Sequence, residues 1–259
     1  MKLREKILDV IRRIEAEFDV KVCYAVESGS RALGFSSEDS DYDVRFIYVN
    51  RKDWYLSLDE KRDVIELPIN DTLDINGWDI RKALKLFRKS NPLLMEWLHS
   101  EIVYYKAFSL IDKMRTLENK VFAPKPALHH YVQMAKRNYR DYHNRDKVKI
   151  KQYFYILRPI LACKWIEKYS SIPPVEFKEL MEEIISDRLL KKEMLKLLNK
   201  KIQGSDNYFE PKNSSLNGYI ESELSSIDRY IESLKDTKKE NSTLLLDSLF
   251  RETLEEVWS

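Results

Sequence analysis

Asp41 and Asp43 lie two positions apart in a β-branched and aromatic stretch, and Asp41 comes eleven residues after Ser30 of a Gly29-Ser30 pair. Strand alternation places the two carboxylates on one face. Side by side they repel unless a cation stands between them. Hard oxygen ligands of this kind suit Mg²⁺ (or Mn²⁺), held by a few carboxylates together with substrate phosphates. Gly29 permits a tight turn and lets a phosphate approach the backbone, where the helix that follows points unpaired N–H groups and Ser30 adds a hydroxyl. The chemistry this implies is in-line displacement at phosphorus, one cation orienting a triphosphate and another activating the attacking hydroxyl. Taken singly, a D-x-D is usually a solvated strand face and a Gly-Ser usually a turn. Their conjunction at this interval carries the reading.

The elements that must position these residues are legible around them. Residues 1–18 form an amphipathic helix with Leu3, Ile7, Val10, Ile11, Ile14 and Phe18 at helical spacing. Strand patterns follow at Val20 to Val26, Asp41 to Val49, Val64 to Ile69 and Thr72 to Trp78, with a short one at Ile102 to Tyr105. Asp79 is an N-cap for a helix over Ile80 to Ser90, and Pro92 suits the first turn of the next. Beyond Ala107 the pattern is helical, ending in a helix over Thr243 to Val257 after a polar Lys235 to Ser242 segment. The expected fold class is therefore α+β, with a sheet and flanking helices over 1–106 and an all-helical unit over 107–259.

Composition narrows the function classes. With 43% hydrophobic and 12% aromatic residues in 259, the chain has enough apolar surface for a sizeable core. No run approaches the length of a membrane helix, and the first residues lack an apolar signal core, so no membrane partner and a cytoplasmic location are expected. Cys23 and Cys163 are far apart and form no ligand pattern, which fits buried thiols in a reducing compartment. Net charge is only +2, but Lys125 to Lys168 holds 11 basic against 3 acidic residues, and Ser205 to Ser259 holds 6 against 12. Such asymmetry suits either a phosphate-rich partner near the middle of the chain or two solvated faces of opposite sign. Five glycines and no Gly-x-x-x-x-Gly-Lys exclude dinucleotide-fold and P-loop readings. Ser30 has no histidine near it in sequence, so no nucleophilic triad is arguable.

In the helical half, Lys151, Tyr155 and Arg158 fall on one stripe, with Phe154, Leu157 and Leu161 on another that should face the core. The first stripe either grips a triphosphate with the tyrosine stacking on a base, or is an ordinary solvated face. His129, His130, Tyr131, Lys136, Arg137, Tyr139, Arg140, Tyr142 and His143 make a basic, aromatic-rich helix that could contact single-stranded RNA or pack inward. Adjacent histidines without a cysteine partner do not make a zinc site.

Gly29-Ser30-Arg31-Ala32 followed by Ser40-Asp41-Tyr42-Asp43 resembles the motif of the polymerase β nucleotidyltransferase superfamily. The resemblance is closest to its RNA-repair-associated bacterial and phage branch. It extends through Val44 to Tyr48, Gly77 to Leu84, Lys89 to Leu98 and Lys151 to Pro159, covering residues from about 20 to 185 and leaving the acidic C-terminal part outside. It implies transfer of a nucleoside monophosphate from an NTP with loss of pyrophosphate, and favours Lys151, Tyr155 and Arg158 as nucleotide contacts. Arg31 is a further phosphate candidate, although an arginine on an exposed helix turn is usually only solvated. It also implies a third carboxylate on a neighbouring strand, which together with Asp41 and Asp43 would hold the metal. Asp74, alternating with Thr72 and Asn76 on a polar face, is assigned that place. Asp79 is assigned to capping, and Asp71 is a weaker rival in the preceding turn. The acceptor expected is an RNA 3′ end, such as that of a tRNA. A protein, a small molecule such as an aminoglycoside, or no acceptor at all in a silent NTP or RNA sensor are the alternatives. Oligomeric state is not legible.

Overall fold

Ile7, Val10, Ile11 and Ile14 recur at helical spacing, and burying them against a sheet organises the N-terminal half. The structure, a computed structural model, describes residues 3–68, 72–143, 147–204, 209–235 and 242–259. Helix α1 (Leu3–Phe18) leads into β1 (Val20–Glu27) through Asp19, whose φ of +50° turns the chain. There follow α2 (Gly29–Ala32), β2 (Tyr42–Asn50), α3 (Lys52–Tyr55), β3 (Val64–Glu66), β4 (Leu73–Asp79), α4 (Ile80–Arg88), α5 (Pro92–His99) and β5 (Val103–Lys106). The third strand is shorter than the pattern over Val64 to Ile69 suggested. Ile69 and Asp71 lie outside the described residues.

The five strands form one mixed sheet in the order β3-β4-β2-β1-β5. All neighbours are antiparallel except β2 and β4, which run parallel with Asp43 opposite Asp74, Arg45 opposite Asn76 and Phe46 opposite Gly77. Alternation sends Val44, Phe46, Leu73 and Ile75 towards α1. It sends Asp43, Arg45, Asp74, Asn76 and Trp78 to the other face, towards the helical half. Gly77 is needed because the Phe46 ring occupies its side-chain space: a Cβ there would lie 2.2 Å from the ring. Both expected helix starts occur. Asp79 accepts a hydrogen bond from Arg81 N (2.7 Å), and Asn91 accepts one from Leu94 N (3.3 Å) ahead of Pro92.

Helices then dominate: α6 (Leu110–Val121), α7 (Pro124–His143), α8 (Ile150–Tyr169), α9 (Phe177–Ile184), α10 (Arg188–Gln203), α11 (Ser214–Ser233) and α12 (Thr243–Trp258). The expectation of an all-helical second half needs one correction. Strands β6 (Lys147–Lys149) and β7 (Phe209–Pro211) pair antiparallel and clip the start of α8 to the segment before α11. Three-residue strands carry too little alternation to register in the sequence. Helix α8 is the hub, buried from Tyr153 almost continuously to Ile166, with Phe154, Leu157 and Leu161 all inside as their stripe required.

One apolar cluster runs without a break from Cys23, Val26, Ile47 and Val49 of the sheet through α8 to Leu246 and Val257 of α12. The C-terminal helix returns to the N-terminal half. Trp258 donates Nε1–H to Asn50 O (2.8 Å), and Phe250 packs edge-on against Tyr55 with ring centres 4.9 Å apart. No described helix is long and apolar enough to cross a membrane.

Candidate active site

The Gly-Ser turn and the D-x-D strand meet as the spacing suggested. After Glu27 the chain leaves β1 through extended Ser28, whose N–H bonds Asp43 O at 2.8 Å. Gly29 then adopts φ +60°, a conformation open to glycine. A Cβ at this position would stand 2.0 Å from Asp43 Oδ2, so the backbone of the turn lies directly against that carboxylate. Ser30 is buried in the single turn of α2.

The parallel register of β2 and β4 brings Asp43 and Asp74 side by side, and a residue to which sequence reasoning gave no role stands between them. Arg45 Nη2 lies 3.1 Å from Asp43 Oδ1 and 2.7 Å from Asp74 Oδ2, while Nη1 donates to Val44 O and Asp74 O, both at 3.1 Å. The signal was available: Arg45 is two residues beyond Asp43 and must share its face. Burial pushes the Asp43 carboxyl above the ordinary range. Arg45 opposes that shift, and the charges of Asp74 and Asp41 add to it. Asp41 itself is exposed just ahead of the strand. Among the described residues no three His, Cys, Asp or Glu side chains form a ready metal cage. The structure thus joins Asp43 with Asp74 and leaves Asp41 beside the pair.

Two further side chains hold this arrangement. Glu27, fully buried, accepts from Asp43 N (2.9 Å) through Oε1 and from the Tyr104 hydroxyl (2.5 Å) through Oε2. Burial raises its carboxyl above the usual range, against the lowering effect of those bonds. Arg31, expected at a phosphate, instead donates to Ser40 O (2.6 Å) and Asp41 O (3.2 Å) and lies 3.8 Å over the Tyr42 ring. It fixes the loop that delivers Asp41. Lys201 reaches the same loop from α10, with Nζ 3.3 Å from Ser37 Oγ. Asp79 is not part of the site. It is buried beneath Asn50 Nδ2 (2.8 Å) and Tyr55 OH (2.6 Å) as well as capping α4.

Between this sheet face and helices α5, α7 and α8 lies a cleft of about 400 Å³. Gly29, Asp43 and Arg45 stand at one side, Tyr155 and Arg158 at another, and Trp78 and Trp97 stack in its wall with ring centres 3.9 Å apart. Asn76 also lines it, with a buried Oδ1 that has no hydrogen-bond partner. Tyr155 is partly exposed and edge-on to Phe35. Arg158 is not the free cation of a solvated stripe. It is buried, with Nη1 2.5 Å from Glu96 Oε1 and Nε donating to Val175 O (3.1 Å). Lys151 is not among the lining residues. The rings of α7 also turn inward: Tyr131 and Tyr142 are buried, Tyr139 bonds Glu221, and Lys136 pairs with Asp228 (2.6 Å). His129, His130, Arg137 and Arg140 remain exposed there.

A second hollow of about 380 Å³ lies on the far side of α2, bounded by Arg31, His99, Glu101, Trp165, Glu176 and Glu179 among others.

A protein family described as the RNA repair pathway DNA polymerase beta family matches residues 3–252. The match therefore takes in most of the acidic C-terminal part that the resemblance had left out. An uncharacterised protein of Bacillus subtilis (strain 168), YcgL, is 50% identical over 256 residues, covering 99% of this chain and 98% of that protein. A nucleotidyltransferase-like protein from Exiguobacterium sibiricum 255-15, of known crystal structure, aligns over 97% of this chain and 80% of its own. The two chains share 13% identity, with a TM-score of 0.32. Polymerase β-like membership supports nucleotidyl transfer in general. With a match across nearly its whole length, over a Gly-Ser turn set against paired strand aspartates, the chain belongs to the RNA repair pathway DNA polymerase beta family.

Proposed function

We propose that this chain transfers a nucleoside monophosphate from an NTP to an acceptor hydroxyl, releasing pyrophosphate, and that the acceptor is an RNA 3′ end, such as that of a tRNA under repair. The observation that carries the reading is the contact of the Gly29 backbone with Asp43, itself paired with Asp74 at the edge of a cleft of nucleotide-holding size. The donor set fits a hard divalent cation, Mg²⁺ (or Mn²⁺). The Asp43 and Asp74 carboxylates, bridged by Arg45, present hard oxygens side by side on one sheet face, and two carboxylates completed by phosphates is a usual Mg²⁺ arrangement. When bound, that cation neutralises charge on the triphosphate and lowers the barrier to attack at phosphorus. Asp43 and Asp74 would hold it, with Asp41 joining from its exposed position.

The residues of the chain then divide the remaining work. Gly29 and Ser30 offer backbone and hydroxyl donors to the phosphates. Tyr155 and the Trp78 edge flank the base. Arg158, committed to Glu96, fixes the wall of α8, and Arg31 holds the Asp41 loop. Lys151, one turn before Tyr155 on α8 and not among the lining residues, is the remaining candidate for a phosphate. We assign residues 1–106 to catalysis and 107–259 to closing the cleft and guiding the acceptor.

A specific observation favours a second acceptor. The hollow lined by α2 gathers Glu101, Glu176 and Glu179 with Trp165, against Arg31 and His99, a lining whose carboxylates outnumber its bases and could take a small cationic molecule such as an aminoglycoside. The deciding experiment supplies each α-labelled NTP and Mg²⁺ with pooled tRNA, unstructured RNA, total protein or aminoglycosides, beside an Asp43→Ala control. Label on RNA that disappears in the control supports the RNA reading. Label on the small molecule or on protein replaces it. Tight NTP binding with no transfer to any acceptor moves the reading to a silent sensor.

A further inference from the structure

The space between Asp43 Oδ1 and Asp74 Oδ2, one that a divalent cation held by both carboxylates would compete for, is filled by a nitrogen of the protein itself. Arg45 Nη2 is within 3.1 Å of one oxygen and 2.7 Å of the other. Metal–oxygen distances for Mg²⁺ are about 2.1 Å, so cation and guanidinium cannot share that position. The arrangement is also well supported from behind, since Nη1 bonds two main-chain carbonyls. Arg45 is largely buried, at 16% side-chain exposure, and so cannot simply swing into water. Directly opposite it in the β2–β4 register is Asn76, on the same sheet face. The buried Oδ1 of Asn76 has no hydrogen-bond partner. A buried acceptor without a donor is costly and calls for an explanation. A guanidinium arriving next to it would supply one.

We propose that Arg45 is a resident counter-cation that holds Asp43 and Asp74 together before substrate arrives, and that the metal–nucleotide displaces it towards Asn76 Oδ1 and the incoming phosphates. This rests on the nucleotidyl-transfer reading and adds to it a two-position residue. The consequence is an ordering of binding. Metal alone must compete with an internal cation and binds weakly. Metal with triphosphate binds well, because the released guanidinium gains phosphate oxygens in exchange for the carboxylates. Arg45 is thus a positioning residue for the carboxylate pair in one state and a phosphate contact in the other. The free metal is kept out of the site without the carboxylates flying apart.

The test is a Mn²⁺ titration followed by the paramagnetic resonance of the free ion, on wild type, Arg45→Gln, Arg45→Lys and Asn76→Leu. Each is measured with Mn²⁺ alone and with Mn²⁺ plus a non-hydrolysable ATP analogue. Removing the competing charge should tighten binding of Mn²⁺ alone about tenfold in Arg45→Gln, as expected when an occluded state of about 90% population is abolished. The same variant should weaken Mn²⁺–nucleotide binding, and Arg45→Lys should behave more like wild type in the first titration. Asn76→Leu should leave Mn²⁺ alone unchanged and weaken the nucleotide complex several-fold. A purely structural arginine would give weaker binding in both titrations of Arg45→Gln, and that result overturns the proposal. If Arg45→Gln does not melt cooperatively, an unaltered nucleotide complex in Asn76→Leu overturns it instead. Wild-type protein that binds Mn²⁺ neither alone nor with nucleotide sinks the functional reading itself, a result distinct from failure of the exchange.

Discussion

Gly29 and Asp43 touch across the mouth of the cleft, with room for a hydrogen but not for a methyl group between the glycine backbone and the carboxylate. Asp43 is too short to bend away while keeping its place beside Asp74. Its main chain is also pinned, through Ser28 N to Asp43 O and Asp43 N to Glu27 Oε1.

Gly29→Ala should therefore rotate the Asp43 side chain out of the site and strain a left-handed φ of +60°. The stability cost should be about 1–3 kcal/mol, leaving a folded protein, while metal–nucleotide binding is lost. Thermal melting paired with nucleotide titration checks both halves. Wild-type binding in this variant would remove the Gly29–Asp43 contact from the mechanism.

Asp79 is tied into the scaffold, and its substitution is expected to affect stability alone. Its carboxylate serves three donors, Arg81 N, Asn50 Nδ2 and Tyr55 OH. Asp79→Ala removes a helix cap and strands two buried donors, at a cost of about 2–4 kcal/mol. In urea denaturation the midpoint should fall by that equivalent. Any residual folded fraction should keep its metal–nucleotide affinity. A variant of normal stability and abolished binding would reverse the assignment.

The Arg158–Glu96 pair fastens α8 to α5 inside the core. Arg158→Met alone leaves Glu96 buried without its counter-charge and should cost about 3–5 kcal/mol. Combined with Glu96→Leu the penalty should shrink well below the sum of the two single changes, because neither charge is then stranded. A double-mutant cycle by chemical denaturation measures this. Additive penalties would show that the two side chains act independently.

The buried Glu27 sets a pH dependence of stability. Its folded carboxyl holds a proton more tightly than in the unfolded chain, because burial raises it. Its contribution is complete below the ordinary glutamate value and is lost as pH rises through the higher folded one. Glu27→Gln keeps groups able to bond Asp43 N and Tyr104 OH but cannot ionise. The variant's melting temperature relative to wild type should accordingly rise between pH 4 and pH 7, an interval of about three units chosen around the ordinary carboxylate range. A constant difference across the series would mean that Glu27 is not the titrating group.

What the sequence determined by itself is local. The Gly-Ser turn, the alternation that puts Asp43 on a polar face, the Asp79 and Asn91 caps and the inward stripe of Phe154, Leu157 and Leu161 all depend on neighbours within a turn or two of chain. Side-chain types encode such relations directly. The tertiary structure decided whatever required two distant segments to be in register. Asp74 pairs with Asp43 because β4 runs parallel to β2 at one particular offset, set by the Phe46–Gly77 fit and the burial of Ile75, and a slip of one residue would have sent Asp74 to the α1 face. Arg45 became the partner of both carboxylates for the same reason. Spacing could place Lys151, Tyr155 and Arg158 on one stripe, but could not say that Glu96 of α5 would meet Arg158 and withdraw it from solvent. Nor could the aromatic content of α7 reveal that Tyr139 would meet Glu221 of α11 and Tyr142 would meet Tyr153 of α8. Periodicity fixes which residues share a face, and only the packing of the whole chain fixes what that face meets.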